Sequence, residues 1–238
     1  MARRSLTILA AALAVLVLVG SALAASNDPQ IALDPADQAW AQSIVIGASD
    51  LGKAWSQAGA GGSSSTAGTS GADASCAGFD PDFSDLTVSG NQDSPTFTAF
   101  GAVASSEAIV WSTVDQAQAA WDRENQPGFL ACVSALLKAS STKHVKLSVG
   151  AAGPLSFPSL APRTAAYRLR VISTVKVKLK GKTRTVRVGG NLDLVLLGSG
   201  RVNASVTMFS ADSVPLDASF EQQLATTVAG RLSADPRA

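Results

Sequence analysis

Residues 165–209 read AAYRLRVISTVKVKLKGKTRTVRVGGNLDLVLLGSGRVNASVTMF. Between residues 165 and 179 most apolar side chains occupy odd positions, whereas arginine, lysine and threonine occupy even ones. A period of two is typical of a β-strand with one buried and one solvated face. Residues 186–196 repeat the pattern at even positions, and Gly181-Lys182 between them fits a two-residue hairpin loop. The stretch therefore predicts an antiparallel hairpin.

The loop at Gly181-Lys182 also predicts the register of this hairpin. It places Val171 opposite Leu192, and Arg170 opposite Asp193 as a cross-strand ion pair. A shift of one residue would set the apolar face of one strand against the polar face of the other. The further predicted pairs are Val177 with Val186, Val175 with Val188, Leu169 with Leu194, and Ser173 with Gly190 at a bulge or bend.

A third strand and a helix complete the predicted C-terminal unit. Matching the apolar faces requires a three-residue loop at 198–200, which pairs Leu196 with Val202 and needs a glycine at positive φ. A helix from about 215 to 232 would cover the apolar face of this three-stranded meander. Its apolar positions follow a helical spacing: Phe220, Leu224, Val228 and Leu232. These patterns predict an α+β fold, with an antiparallel sheet and helices packed mainly on one face.

Three further helices and two strand regions precede this unit. Asp34-Pro35 is an N-cap followed by proline at the first helical position, and Thr113 to Gln116 has the form of a capping box. A third helix carries an apolar stripe from Phe129 to Leu137. Residues 97–111 and 145–149 are predicted to be strands, and residues 150–162, with three prolines, a loop.

The N-terminus has the pattern of a secretory signal. Arg3 and Arg4 precede an apolar stretch, and residues 22–24 (Ala-Leu-Ala) form a small-x-small cleavage site, so cleavage is predicted between Ala24 and Ala25. The alternative is an uncleaved N-terminal membrane anchor. This segment accounts for part of the 46% apolar composition. The chain is predicted to be secreted, to the extracellular space or the cell envelope.

The two cysteines, Cys76 and Cys132, are most simply one disulfide in an oxidising compartment. Cys76 follows a stretch at 59–75 that has no apolar side chain larger than alanine and is predicted to be a flexible loop. Residues 25–58 alone are too few to fold independently. The mature chain, residues 25–238, is therefore predicted to be one domain that contains this loop.

A resemblance to a known family rests on four features. They are the segment Asp50–Trp55, a cysteine in a later loop, a tryptophan-containing helix followed by a cysteine-bearing helix, and a meander with Tyr167-Arg168 before a C-terminal helix. Together they resemble the extracellular sensor domain of bacterial serine/threonine kinases of the PknH type and its secreted relatives. Secreted PsbP-like (LpqN-type) α+β proteins are similar in their order of elements.

The resemblance covers residues 34–232 and implies a sheet-and-helix cleft that binds an unidentified ligand. The chain departs from the family because it has one cysteine pair rather than two and carries no kinase signature. Only the fold and a general binding role are therefore implied.

The composition and motifs exclude several kinds of chemistry. A single histidine, His144, rules out two-histidine metal motifs, and a formal net charge of +1 gives no attraction to nucleic acid. No nucleophile elbow, phosphate loop or dinucleotide fingerprint is present. The acids in residues 80–85 lack the glycine that an EF-hand calcium loop requires, which favours turn and cap roles. We predict a non-enzymatic protein without catalytic, cofactor-binding or metal-binding residues.

The predicted hairpin carries six basic side chains within twelve positions, with no acid between them: Lys176, Lys178, Lys180, Lys182, Arg184 and Arg187. One interpretation is a contact for anionic lipid headgroups or wall polymers, because each basic residue near such a surface contributes about 1 kcal/mol. The other is a solvated strand face whose lysines discourage edge-to-edge pairing.

Three functional hypotheses follow. The first and favoured one is a secreted ligand-binding or sensor-like module of the bacterial envelope, acting on an unknown small molecule or envelope component. The second is an envelope interaction protein that makes peripheral membrane or wall contact through the basic hairpin. The third is an enzyme with carboxylate chemistry, which two buried acids facing each other in a cleft would favour. A monomer is expected.

Overall fold

The computed structural model describes residues 27–58, 76, 78–142, 145–179 and 182–235. The strands in these ranges are β1 (Gln30–Ile31), β2 (Ser56–Gln57), β3 (Thr87–Asp93), β4 (Phe97–Ala99), β5 (Ala102–Trp111), β6 (Val145–Pro154), β7 (Arg163–Leu179), β8 (Lys182–Ser199) and β9 (Val202–Ala211). They form one sheet in the order β1-β3-β5-β9-β8-β7-β6, and β4 joins β2 to β5. All the strand pairs are antiparallel except β1 with β3.

The helices of the described residues are α1 (Pro35–Ile44), α2 (Val114–Glu124), α3 (Phe129–Ala139) and α4 (Ala218–Arg231). Side chains cap three of these helices, and the caps of α1 and α2 are as the sequence predicts. The Asp34 carboxylate accepts hydrogen bonds from two backbone N–H groups at the start of α1. Thr113 caps α2 through the N–H of Gln116, and Asp217 caps α4 through the N–H of Ser219. Each cap satisfies backbone donors that have no partner within the helix.

The sheet is buried on both faces. On one face, α1 and α4 pack over a cluster that includes Trp40, Val195, Leu197 and Leu224. On the other face, α3 packs over Leu169 and its neighbours. On the same face as α3, α2 covers a third cluster, which lies over β3 and β5. The central strands can be apolar on both sides because each side has a helical layer.

The α+β class and the antiparallel C-terminal meander are therefore confirmed. The four helices are divided two and two between the faces, whereas the sequence predicted most of them on one face. The strands predicted at 97–111 and 145–149 correspond to β4, β5 and β6. Strand β6 continues to Pro154, into the predicted loop. The helix α4 covers the Val195 and Leu197 side of β8, which is opposite to the face that the sequence assigned to it.

The predicted register of the β7–β8 hairpin is wrong by two residues. Leu179 pairs with Lys182, so the connecting residues are 180–181 and not Gly181-Lys182. Asp193 lies opposite Arg168 rather than Arg170. A shift of two residues leaves every side chain on the same face, so the apolar alternation that suggested the register cannot distinguish the two arrangements.

The shift changes the other predicted pairs in the same way. The observed pairs are Val177 with Arg184, Val175 with Val186, Val171 with Gly190, Leu169 with Leu192 and Ser173 with Val188. Gly190 is required by its surroundings, because a Cβ atom there would collide with the ring of Phe209 and the carbonyl oxygen of Ser210.

The predicted three-residue loop between β8 and β9 is also wrong. Ser199 pairs with Val202, so the loop is Gly200-Arg201, and Leu196 lies opposite Ser205 rather than Val202. Matching apolar faces predicts the wrong loop length because β8 has buried apolar residues on both of its faces. The positive φ of Gly200, +50°, is as predicted.

Arg201, in this loop, has its side chain buried in the protein interior. Its guanidinium forms a bidentate ion pair with Asp37 at 2.9 and 3.0 Å and a second pair with Asp235. It also donates to the carbonyl of Trp111 and lies 5.5 Å from the ring centroid of Trp40. Asp37 is fully buried, so α1, the sheet and the C-terminal segment are joined by one buried charge network.

The predicted disulfide is present. Cys76 and Cys132 are bonded, with Cα atoms 4.8 Å apart, and both residues are buried. The bond attaches the segment that precedes β3 to α3. The predicted signal segment, its Ala24–Ala25 cleavage site and the loop at 59–75 lie outside the described residues. None of the helices in the described ranges is long and apolar enough to cross a membrane.

Candidate binding surfaces

Residues 176–187, which we call the basic arm, extend beyond the neighbouring strands. The pairing of β6 with β7 ends at Val175, and the pairing of β9 with β8 ends at Gly190. Beyond these points β7 and β8 pair only with each other. At about 3.3 Å per residue, β8 continues for roughly 26 Å past its last partner in β9. The arm is thus a two-stranded projection from the edge region of the sheet.

The described side chains of the basic arm are exposed at three of the six predicted positions: Lys176, Arg184 and Arg187. Lys178 and Lys182 lie on its paired strands, and Lys180 falls outside the described residues. Among the described residues, no salt bridge involves Lys176, Arg184 or Arg187. Their charge is therefore available to an external anion.

The structure adds one cation that the sequence did not connect with the arm. Exposed Lys146 on β6 lies opposite Thr174, and Thr174 lies opposite Arg187. Lys146 and Arg187 therefore occupy one row across three strands, next to the row of Lys176. Lys146 is 30 positions from Lys176 in sequence, so the sequence alone does not show that they are near each other. The β6–β7 register shows it.

A small cleft between α2 and the sheet is lined by two carboxyl groups. It has a volume of about 40 Å³ and lies where α2 passes over β5, β9 and β8. Its lining includes Glu107 from β5, Glu124 and Trp121 from α2, and Leu196 and Asn203 from the sheet. Within the described part of the chain, neither glutamate has a hydrogen-bond donor or a cationic partner.

Burial makes both of these carboxyl groups weak acids. Burial raises the pKa of Glu107 to about 8, and the carboxylates of Asp93 and Glu124 add to the effect. Burial also raises the pKa of Glu124 to about 7. Burial opposes ionisation of both acids, and the nearby Glu124 carboxylate further disfavours the charged form of Glu107. Such a site favours a compact cation or a proton donor role.

The sequence did not identify this cleft. Glu107 and Glu124 are 17 positions apart, on a strand and a helix, and no motif spacing joins them. One signal was available: Glu107 is the only charged residue between Phe97 and Trp111. A charge within a strand that is otherwise uncharged and largely buried often marks a functional or strained position.

A second carboxyl pair lies under α4. Asp193 on β8 and Glu221 on α4 are both buried, and both lie against the guanidinium of Arg168. Arg168 binds Asp193 through two hydrogen bonds of 2.6 Å and lies 3.6 Å from Glu221. The neighbouring Arg170, predicted to pair with Asp193, instead pairs with Asp212.

The remaining candidate residues have structural partners. Asp82 accepts a hydrogen bond from the N–H of Ser84, and Asp85 pairs with Arg123 at 2.5 Å. The Asp82 contact is a turn role of the kind favoured for residues 80–85, whereas the Asp85 ion pair was not predicted. Within the described ranges, no group of three or more potential ligand residues is arranged to hold a metal ion. His144 lies outside those ranges.

No protein-family model matches the chain, and no curated protein matches it with significant similarity. The resemblance to PknH-type sensor domains therefore stays a prediction.

Proposed function

We propose that this protein is a secreted, non-enzymatic binding module of the bacterial envelope, and that it contacts an anionic envelope component through the basic arm. The observation that carries the proposal is the projection of the arm past β6 and β9. A solvated face meant only to discourage edge pairing would need no such extension. The arm places exposed cations on both of its strands, Lys176 on β7 and Arg184 and Arg187 on β8.

Of the sequence hypotheses, envelope interaction is the one that the projecting arm supports. A ligand pocket for a metabolite typically has 300–1,000 Å³. The carboxylate cleft has about 40 Å³, which is room for about three water molecules. Anionic polymers and headgroups, by contrast, need only an accessible row of cations.

Secretion is part of the proposal. The buried disulfide is compatible with an extracellular location. The predicted signal segment, with cleavage between Ala24 and Ala25, supplies the route. We propose that the mature protein acts as a monomer outside the cytoplasm, without a cofactor.

Sedimentation with anionic lipid vesicles tests the proposed contact. We expect binding at low ionic strength that disappears at high salt, because exposed charges are screened. The variant Lys176→Gln/Arg187→Gln should bind about thirtyfold more weakly, since each lost cation costs about 1 kcal/mol. Vesicles of neutral lipid should not bind.

The matched control is Lys53→Gln/Lys138→Gln, which removes the same charge from two exposed lysines outside the arm. It should bind like the wild type. Equal weakening in both variants would mean that net charge, not the arm, drives binding. If the wild type binds neither these vesicles nor purified anionic wall polymer at low salt, the proposal is wrong.

A second candidate function is binding of a small cationic group in the carboxylate cleft. Two carboxyl groups without cationic partners lie there beside Trp121, whose ring can contact an ammonium group. The third sequence hypothesis, carboxylate chemistry, also points to this cleft, because two acids line it. We favour binding because so small a cleft cannot enclose the reacting part of a substrate together with catalytic water.

Native mass spectrometry of protein purified from its own source tests this second candidate. We expect a co-purifying small cation in the wild type and its loss in Glu107→Gln, which removes the charge and keeps the shape. The control Glu221→Gln, a buried carboxyl on the other face, should retain it. A wild type that carries no bound species, or a bound species that Glu107→Gln retains, would exclude the cleft as the binding site.

A further inference from the structure

The contact between α4 and the sheet contains two buried acids and one base. Asp193 is 1% exposed and Glu221 is 4% exposed. Their shared cation, Arg168, has a side chain that is 42% exposed. Both nitrogen contacts of Arg168 below 3 Å go to Asp193, whereas Glu221 is reached only at 3.6 Å. The guanidinium therefore neutralises Asp193, and Glu221 has no close cation of its own.

A proton on Glu221 makes this arrangement stable. A protonated carboxyl donates its O–H to a neighbouring carboxylate, so Glu221 can satisfy Asp193 and remain neutral. Without the proton, two buried carboxylates would lie side by side with one guanidinium between them. An uncompensated buried charge costs several kcal/mol, which the protein can avoid by releasing the helix to water.

We propose that Asp193, Glu221 and Arg168 form a pH-sensitive latch. The latch holds the N-terminal half of α4 on the sheet while Glu221 carries a proton, and it loosens this part of the helix when Glu221 ionises. The change is a local one, since the C-terminal half of α4 is held by buried Val228 and by the hydrogen bonds that Arg231 donates to the Val45 carbonyl and to Asp50.

The direction of the pH dependence follows from the surroundings of Glu221. Burial, together with the carboxylate of Asp193, raises its pKa to about 7, while Arg168 opposes the shift. Asp217, one turn earlier in α4, adds a small repulsion. No other charged group of the described residues acts on Glu221. Because the bound proton favours the docked helix, the contribution is fully present below pH 4.5 and is lost as the pH rises through about 7.

Hydrogen exchange of the full mature chain tests the latch. After correction for intrinsic exchange rates, the amides in the first half of α4 should open on the order of 50- to 100-fold more often at pH 8 than at pH 5. Glu221→Gln imitates the protonated side chain, so its α4 should show little dependence on pH. The control Glu124→Gln removes a carboxyl group with a similarly raised pKa on the other face. It should keep the wild-type behaviour of α4.

A second measurement does not depend on any variant folding well. Carbon-13 NMR of the wild-type carboxyl groups should show a glutamate that titrates near pH 7 and broadens together with α4 signals. The latch is refuted if Glu221 titrates near pH 4.5, or if α4 protection is constant between pH 5 and pH 8. It is also refuted if Glu221→Gln retains the wild-type pH dependence.

Discussion

Arg201→Ala should lower the free energy of unfolding by about 3–5 kcal/mol, the largest effect of any single substitution that we predict. The guanidinium of Arg201 is the cation that compensates Asp37, whose side chain is fully buried. Removing it leaves a carboxylate in the core, together with the unpaired carbonyl of Trp111. The loss also removes the ion pair of Arg201 with Asp235, whose side chain is 23% exposed and accessible to water. Urea denaturation followed by circular dichroism measures the change.

The matched control for this prediction is Arg170→Ala. Arg170 also forms a two-point ion pair, with Asp212, but the side chains are 35% and 51% exposed. A pair that is accessible to water contributes 0–1 kcal/mol, so this variant should be nearly as stable as the wild type. A similar loss in both variants would show that burial does not determine the strength of the Arg201 network.

A double substitution separates the ion pair from packing. Replacing a buried pair by apolar residues of similar volume is often close to neutral. Asp37→Leu/Arg201→Met should therefore be more stable than Arg201→Ala alone. If the double variant is less stable than the single one, the network contributes net stability beyond the cost of an orphaned carboxylate.

For the β7–β8 hairpin, the sequence predicts which side chains share a face but not which residues pair. Alternation places Leu169 and Leu192 on one face of the sheet in any register that differs by an even number of residues. What selects the observed register lies in other strands. Gly190 fits where the ring of Phe209 in β9 approaches, and Phe209 is nearly 20 residues away in sequence.

The loop between β8 and β9 shows the same limitation. The prediction assumed that one face of β8 is wet, which is true of most antiparallel strands in small sheets. Val195 and Leu197 are buried on the face that was assumed to be polar, because α1 and α4 cover it. The sequence contains these residues, but the covering helices become evident only in three dimensions.

Of the candidate binding surfaces, only the one formed by a local stretch of sequence could be predicted. The basic arm is a local pattern, six cations in twelve positions, and it could be found by reading along the chain. Lys146 and the Glu107–Glu124 cleft depend on contacts between distant segments. The ion pair of Asp193 was predicted with the wrong arginine, since Arg168 and Arg170 lie on the same side of β7 and differ only by the register.

Removing the disulfide should have the second-largest effect. Cys76→Ser/Cys132→Ser is expected to lower the free energy of unfolding by about 4 kcal/mol, because the bond closes a loop of 56 residues and restricts the unfolded chain. In the folded protein the same segment retains contacts with α3. The ring of Phe79 packs edge-on against Phe129, at 6.0 Å between centroids. The native structure should therefore survive at 25 °C, with a lower denaturation midpoint.

Reduction of the wild-type protein provides the control for the serine substitutions. Unfolding in the presence of a thiol reductant should bring the wild type to the stability of the double serine variant, and the reductant should leave that variant unchanged. The single variant Cys76→Ser should match the double variant, because either change opens the same loop. A difference below 1 kcal/mol between oxidised and reduced wild type would mean that the Phe79–Phe129 contact, and not the covalent bond, holds this segment on α3.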